Sequence, residues 1–146
     1  MYLQASGSVH LIGKKRDMEK IAVVIECASS TSFTASADRE FEGYALIGYG
    51  NTAQEAVSDF MAVYSEARQM FGCPEFSFSF RYDTESFLQF YKSKLSLAGL
   101  QSITGINQRQ LSHYLNGKRR PNETTKKRIE NAVHAFAKEL VALELV

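Results

Sequence analysis

The chain has 146 residues, of which 45% are hydrophobic and 23% charged, enough apolar content for packed cores and too much for a wholly disordered protein. Its formal net charge of +1 hides two halves of opposite sign: residues 1–80 carry six Lys/Arg against ten Asp/Glu, a net of −4, and residues 81–146 carry eleven against six, a net of +5. Between Lys92 and Arg128 nine basic residues stand against one acid, so the second half suits a polyanion and the first does not.

Residues 1–17 mix Gly, Ser and Lys/Arg around one short apolar patch, VHLIG, and read as a flexible extension ahead of a second methionine, Met18. His10 stands alone there and reads as a surface residue. The β-branched run KIAVVIE, residues 20–26, predicts a strand covered on both faces or nearly so, at the centre of a sheet. SFTASA at 32–37 and YALIGY at 44–49 predict two more strands, separated by the acidic turn-like segment 38–43, and a three-stranded meander follows. Asn51 or Thr52 then caps a helix running to about Met70, whose Ala56, Val57, Phe60, Met61, Tyr64 and Ala67 form a core-packing stripe. After Gly72, Cys73 and Pro74, the run EFSFSFRY alternates Phe76, Phe78, Phe80 and Tyr82 with polar neighbours. It predicts a half-buried strand that rejoins the sheet or pairs with a second subunit.

This β-β-β-α-β order, with the phrase GNTAQEAVSDF after the third strand, resembles the HicB family of antitoxins, in which a Gly-x-Thr-x-x-Glu-Ala helix start follows a sheet hairpin. The resemblance implies that residues 18–83 form a toxin-binding domain related to a small, catalytically dead RNase H fold. It also implies a HicA-type toxin as partner and a DNA-binding domain C-terminal to the sheet. The family's Pro-Gly turn is absent, with FEGYALIGYG in its place.

In the basic half, SLAGLQSITG spaces Leu97, Leu100 and Ile103 three apart and ends on Gly105, which predicts a short helix and a tight turn. Asn107 follows as a helix cap, Gln110 takes the capping-box position, and Ile106 and Leu111 stand at the two staple positions. Leu111 and Leu115 share an inward face, while Gln108, Arg109, Ser112 and His113 project elsewhere. Gly117 supplies a left-handed end, and Pro121 after Lys118, Arg119 and Arg120 blocks continuation.

GINQRQLSHYLNGKRRP resembles the second half of the helix-turn-helix of Xre and phage-repressor-type DNA-binding domains. That resemblance implies that Gln108, Arg109, Ser112 and His113, with the flanking Asn107 and Gln110, meet DNA in the major groove, and that Lys118 and Arg119 hold phosphates. Gln101 stands where such domains usually carry a small residue, which implies an altered helix crossing. The two resemblances cover roughly residues 18–143. The bland alternative for this half is a helical hairpin that binds only protein.

Asn122 caps a last helix running to about Leu145, with Ile129, Val133, Phe136, Leu140 and Leu143 at spacings of four and three. Its apolar end exceeds what the helix-turn-helix needs for cover, so a homodimer, or a higher assembly built from it, is expected.

Cys27 and Cys73 are too few and too far apart for a zinc ribbon or a redox CxxC and read as free thiols of a reducing compartment. No apolar run reaches the length of a membrane span and the N-terminus lacks a secretory apolar core, so a cytoplasmic protein is expected. The RNase H relation raises metal-dependent RNA cleavage, which needs clustered carboxylates. The acids at hand are Glu26, Asp38, Glu40, Glu42 and Asp59, three of them in a predicted turn, and no strand presents an interior Asp. His113 and His134 lack a Ser, Cys or carboxylate partner at a recognisable spacing. The sequence therefore predicts an α+β chain with no enzymatic activity, metal or cofactor: an extension 1–17, an antitoxin domain 18–83 and a helix-turn-helix domain 84–146. The alternative is a transcription regulator with an N-terminal ligand- or protein-binding domain and no toxin.

Overall fold

A computed structural model describes residues 17–29 and 31–146, so all of the expected extension except Asp17 lies outside the described residues. Strands β1 (Glu19–Ser29), β2 (Ser32–Ala37), β3 (Ile47–Gly50) and β4 (Phe76–Tyr82) form one sheet in the order β3-β2-β1-β4, and helix α1 (Ala53–Phe71) connects β3 to β4. The β1–β2 and β2–β3 pairs are antiparallel, whereas β4 runs parallel to β1, as a strand returning through a helical crossover can. Four helices are described after the sheet or at its margin: α2 (Thr84–Tyr91), α3 (Leu97–Thr104), α4 (Gln108–Leu115) and α5 (Glu123–Val141). The fold is α+β. No helix among the described residues is long and apolar enough to cross a membrane.

β1 does lie inside the sheet, but among the described residues its second face is less covered than the continuous apolar run predicts. Ile21, Val23, Ile25 and Cys27 are buried, while Ala22 and Val24 are half-buried and Glu26 is exposed. The physical reason is that the helices pack on a single side of the sheet. The opposite side is lined by residues that register with Ala22, Val24 and Glu26, among them Thr34, Ser36, Ser79 and Arg81, whose small or polar side chains tolerate water. β3 begins at Ile47 rather than Tyr44, because the preceding chain folds on itself through a Phe41–Tyr44 bridge around Gly43, which sits at φ +84°.

Thr52 caps α1, its hydroxyl accepting the Glu55 N–H at 3.1 Å, and Gly72 ends the helix at φ +63°. The buried stripe is Ala53, Ala56, Phe60, Tyr64 and Ala67. Val57 is only half-buried and Met61 is 41% exposed, so the stripe is narrower than expected. α1 rests mainly on β3 and β2. That close seat depends on two glycines: a Cβ on Gly48 would run into the backbone of Ala56 and Phe60, and one on Gly50 into Ala56 and Glu55. Phe78 meets Phe60 and Tyr64 edge-on at centroid distances of 5.1 and 4.8 Å.

α2 has no counterpart in the sequence reading. Asp83 builds it: one carboxylate oxygen accepts the Ser86 N–H at 2.7 Å and caps the helix, and the other accepts the Cys27 N–H of β1 at 2.8 Å. From there Phe90 packs on the sheet core beside Tyr82, while Phe87 and Leu88 turn into the helical core. The Gln54 amide of α1 donates to the Phe90 carbonyl at 2.8 Å. The boundary expected between residues 83 and 84 thus falls at the start of a helix that serves both cores.

Candidate nucleic-acid interface

The helical core consists of Leu88, Leu100, Ile106, Leu111, Tyr114 and Ile129. These six side chains fix α3 and α4 against α2 and α5 and leave one side of α4 free. The turn between α3 and α4 is tightly tied. Gly105 takes φ +71°, and a Cβ there would meet the Arg128 guanidinium at 2.8 Å. Arg128 Nε donates to the Thr104 carbonyl at 2.9 Å, and the Thr104 hydroxyl donates to Leu100 O at 2.6 Å while accepting the Ile106 N–H at 3.1 Å. Arg128 is therefore a structural cation of the turn, committed to the end of α3.

Two side chains hold the first turn of α4. Asn107 Oδ1 accepts the Gln110 N–H at 2.8 Å, as its capping position predicts, and Gln101 Oε1 accepts the Gln108 N–H at 2.9 Å across the turn. Gln101, which reads in sequence only as a departure from a small-residue position, is a second cap on α4. Reach across a turn is a tertiary fact, and no spacing rule encodes it.

On α4, Leu111 and Tyr114 are buried, Gln108 and Arg109 are exposed, and Ser112 and His113 are half-buried. With Asn116, whose amide donates to Ser112 Oγ at 3.3 Å, these four make a continuous polar face without an acidic side chain. Gln110 belongs elsewhere: its amide donates to the Tyr114 hydroxyl at 2.7 Å. So of the eight residues expected at DNA, Asn107 and Gln110 are engaged in building α4. Gln108, Arg109, Ser112, His113, Lys118 and Arg119 remain on or beside its open face.

The loop after α4 turns at Gly117, φ +69°, and the Arg119 N–H donates back to the His113 carbonyl at 3.2 Å. Lys118, Arg119 and Arg120 are exposed beyond it. They are not equivalent. Arg119, Arg120 and Lys126 line a cleft of about 100 Å³ with Asp83, Glu85 and Tyr114, and a Cβ on Gly117 would touch the Glu85 carboxylate at 2.7 Å. Lys118 takes no part in that cleft. At the start of α5 Lys126 bonds Glu123 at 2.7 Å and holds its carboxyl below the usual carboxylate range.

Chemically, a convex helix face of amide, guanidinium, hydroxyl and imidazole groups beside free cations can pair with base edges and phosphates. In the sheet half, Asp59 accepts the Tyr49 N–H at 2.8 Å and Glu26 lies exposed on the open face. No three His, Cys, Asp or Glu residues are grouped to hold a metal ion among the described residues. A groove of about 310 Å³ lies beside the β2–β3 connection, lined by Arg39, Phe41, Tyr44 and Leu46. The chain matches no family model, no curated protein and no solved structure.

Proposed function

We propose that this chain is a cytoplasmic HicB-type antitoxin, whose sheet half, read as a degenerate RNase H-like domain, binds and blocks a HicA-type mRNA-cleaving toxin. Its helical half represses the operon encoding both. The observation that carries the reading is the acid-free open face of α4, Gln108, Arg109, Ser112 and His113, borne on a tied helix-turn-helix in the same chain as an acidic β-β-β-α-β unit. The sheet order supports the RNase H-like part. Opposite charge supports the toxin part, since an acidic surface speeds encounter with a basic RNA-binding partner. Exposure of Leu140, Val141 and Leu143 at the end of α5 supports a homodimer, which would match a palindromic operator.

Two experiments test this. Purification from the native host is expected to bring down a small basic ribonuclease. Its absence under conditions that preserve the folded chain favours the second reading, a transcription regulator that takes a ligand or protein at the sheet half; the groove beside Phe41 and Tyr44 is the feature that speaks for that reading. On DNA, Arg109→Ala is expected to cost about 1–3 kcal/mol at the specific site and relax base preference, whereas Lys118→Ala weakens all sequences alike and flattens the salt dependence. Equal loss of specific and random binding with Arg109→Ala would remove the base-reading role.

A further inference from the structure

β4 is an edge strand: within the described residues it has β1 on one side and no strand on the other. Its inner side is fixed by the Asp83 N–H donating to the Ile25 carbonyl at 3.0 Å. Along a strand the direction of the backbone groups alternates, so Ser77, Ser79 and Arg81 also turn theirs toward β1. Phe78 and Phe80 turn theirs outward. At Phe76 the outward N–H is already taken by the Tyr64 hydroxyl at 2.8 Å, which marks the end of the free ladder.

Natural edges are usually blunted by charge, Pro or a bulge. The free stretch here, Phe78-Ser79-Phe80, has none of these, and its ring is open. Phe80 is 38% exposed, because α1 sits over β3 and β2 rather than over β4, and it is the one Phe of the strand with no aromatic partner among the described residues.

Residues 75–81 read Glu-Phe-Ser-Phe-Ser-Phe-Arg, which is self-complementary about Phe78. We propose that β4 pairs antiparallel with β4 of a second copy of this chain about a two-fold axis at Phe78, joining two sheets into one. In that register Phe78 exchanges N–H and C=O with Phe78 of the second copy, and the Phe80 N–H donates to the carbonyl of Phe76 across the axis. Phe80 packs on Phe76, Ser77 faces Ser79, and Glu75 faces Arg81, each twice by symmetry. Both charges are available: Glu75 and Arg81 are exposed, and their present partners, Arg68 and Asp38, stand at 3.8 and 3.9 Å. A register shifted by one residue, centred on Ser79, sets Ser77 against Arg81 and loses the charge match. The contact lies in the sheet half and is separate from the α5 end.

Charge reversal in the full chain tests the pairing, in a Leu140→Glu/Leu143→Glu background that removes any contact through α5. Arg81→Glu sets like charges opposite each other and is expected to weaken self-association by sedimentation roughly tenfold. Glu75→Arg added to Arg81→Glu is expected to restore it. Self-association that ignores both changes, or a double variant as weak as the single, overturns the proposal.

Cysteine placement reads the register independently, since directly opposed residues that do not exchange backbone bonds have Cα atoms about 4.5 Å apart, within disulfide range. Mild oxidation is expected to link the Ser77→Cys/Ser79→Cys double variant into dimers and neither single variant. Linking by Ser79→Cys alone, or no linking of the double variant above an exposed Ser65→Cys control, overturns it as well.

Discussion

Among the described residues, the sheet half buries fourteen hydrophobic residues in one core, with Phe33, Phe60, Tyr64 and Phe76 among them, and the helical half buries six. One of those six, Leu88, stands on α2, the helix whose Phe90 packs on the sheet. The two halves are unequal partners. A six-residue core yields little stability by itself, and the α3–α4 pair obtains its footing from a helix anchored to β1 through Asp83. The surfaces differ in the reverse sense. Among the described residues, the sheet half offers an uncovered face and a free edge, while the helical half offers a compact polar face whose geometry is fixed by caps.

Core truncation is expected to have the largest effect. Phe60→Ala is expected to cost about 3–5 kcal/mol and Leu111→Ala about 2–5 kcal/mol, since both side chains are fully buried. Because α2 belongs to both cores, urea unfolding of each variant should remain a single transition by far-ultraviolet circular dichroism and tyrosine fluorescence. Two separated transitions would mean that the halves are energetically independent. In the same vein, a fragment of the sheet half ending at Tyr91 should unfold at higher urea than one ending at Thr84, which lacks the Phe90 and Gln54 contacts.

A smaller effect sharpens the helical side. Asn107→Ala is expected to cost about 1 kcal/mol, the usual value of an N-cap, and Gln101→Ala about half that because one bond to an exposed terminus is lost. On the DNA-binding function proposed above, both should weaken specific binding beyond their effect on stability, by fraying the first turn that carries Gln108 and Arg109. Unchanged affinity with Gln101→Ala would show that its bond across the turn does not position the polar face of α4.

The smallest effect expected at moderate pH lies at the junction of the two halves. Burial, with Glu85 alongside, pushes the Cys27 thiol from 9.0 up to about 12, and burial beside Tyr91 pushes the Tyr82 hydroxyl from 10.0 up to about 12. For both groups folding favours the neutral form. Their contribution is therefore complete below the unfolded values and is lost as pH rises toward the folded ones. Stability should start to fall above pH 9 through Cys27 and fall more steeply above pH 10 through Tyr82. Cys27→Ser should flatten the onset between pH 9 and 10 in denaturant titrations, and a wild-type onset in that variant would assign the slope to other groups.

The sequence by itself determined the elements whose signals are local. Asn107 and Asn122 cap the helices that the sequence assigns them, and Thr52, one of the two candidates with Asn51, caps α1, because an N-cap bonds a donor three residues away. Gly105 and Gly117 end their turns with positive φ, and the alternation of Phe and Ser gave β4. The polar face of α4 was equally legible from helical periodicity. Tertiary structure decided what depends on partners distant in the chain. β1 lost cover on one face because both packing helices chose the other, a choice invisible in a β-branched run. α2 escaped because three of its eight residues are aromatic, a composition that suits a strand as well as a helix, and because half of its cap's work is a bond to β1, 56 residues away. Gln101 and Arg128 acquired their roles only when the turn brought them to Gln108 and Thr104, and Gln110 left the expected binding face because Tyr114 offered its hydroxyl. Local hydrogen bonds and periodic burial are written in neighbouring residues, whereas the choice of which polar group a side chain finally meets is made by packing.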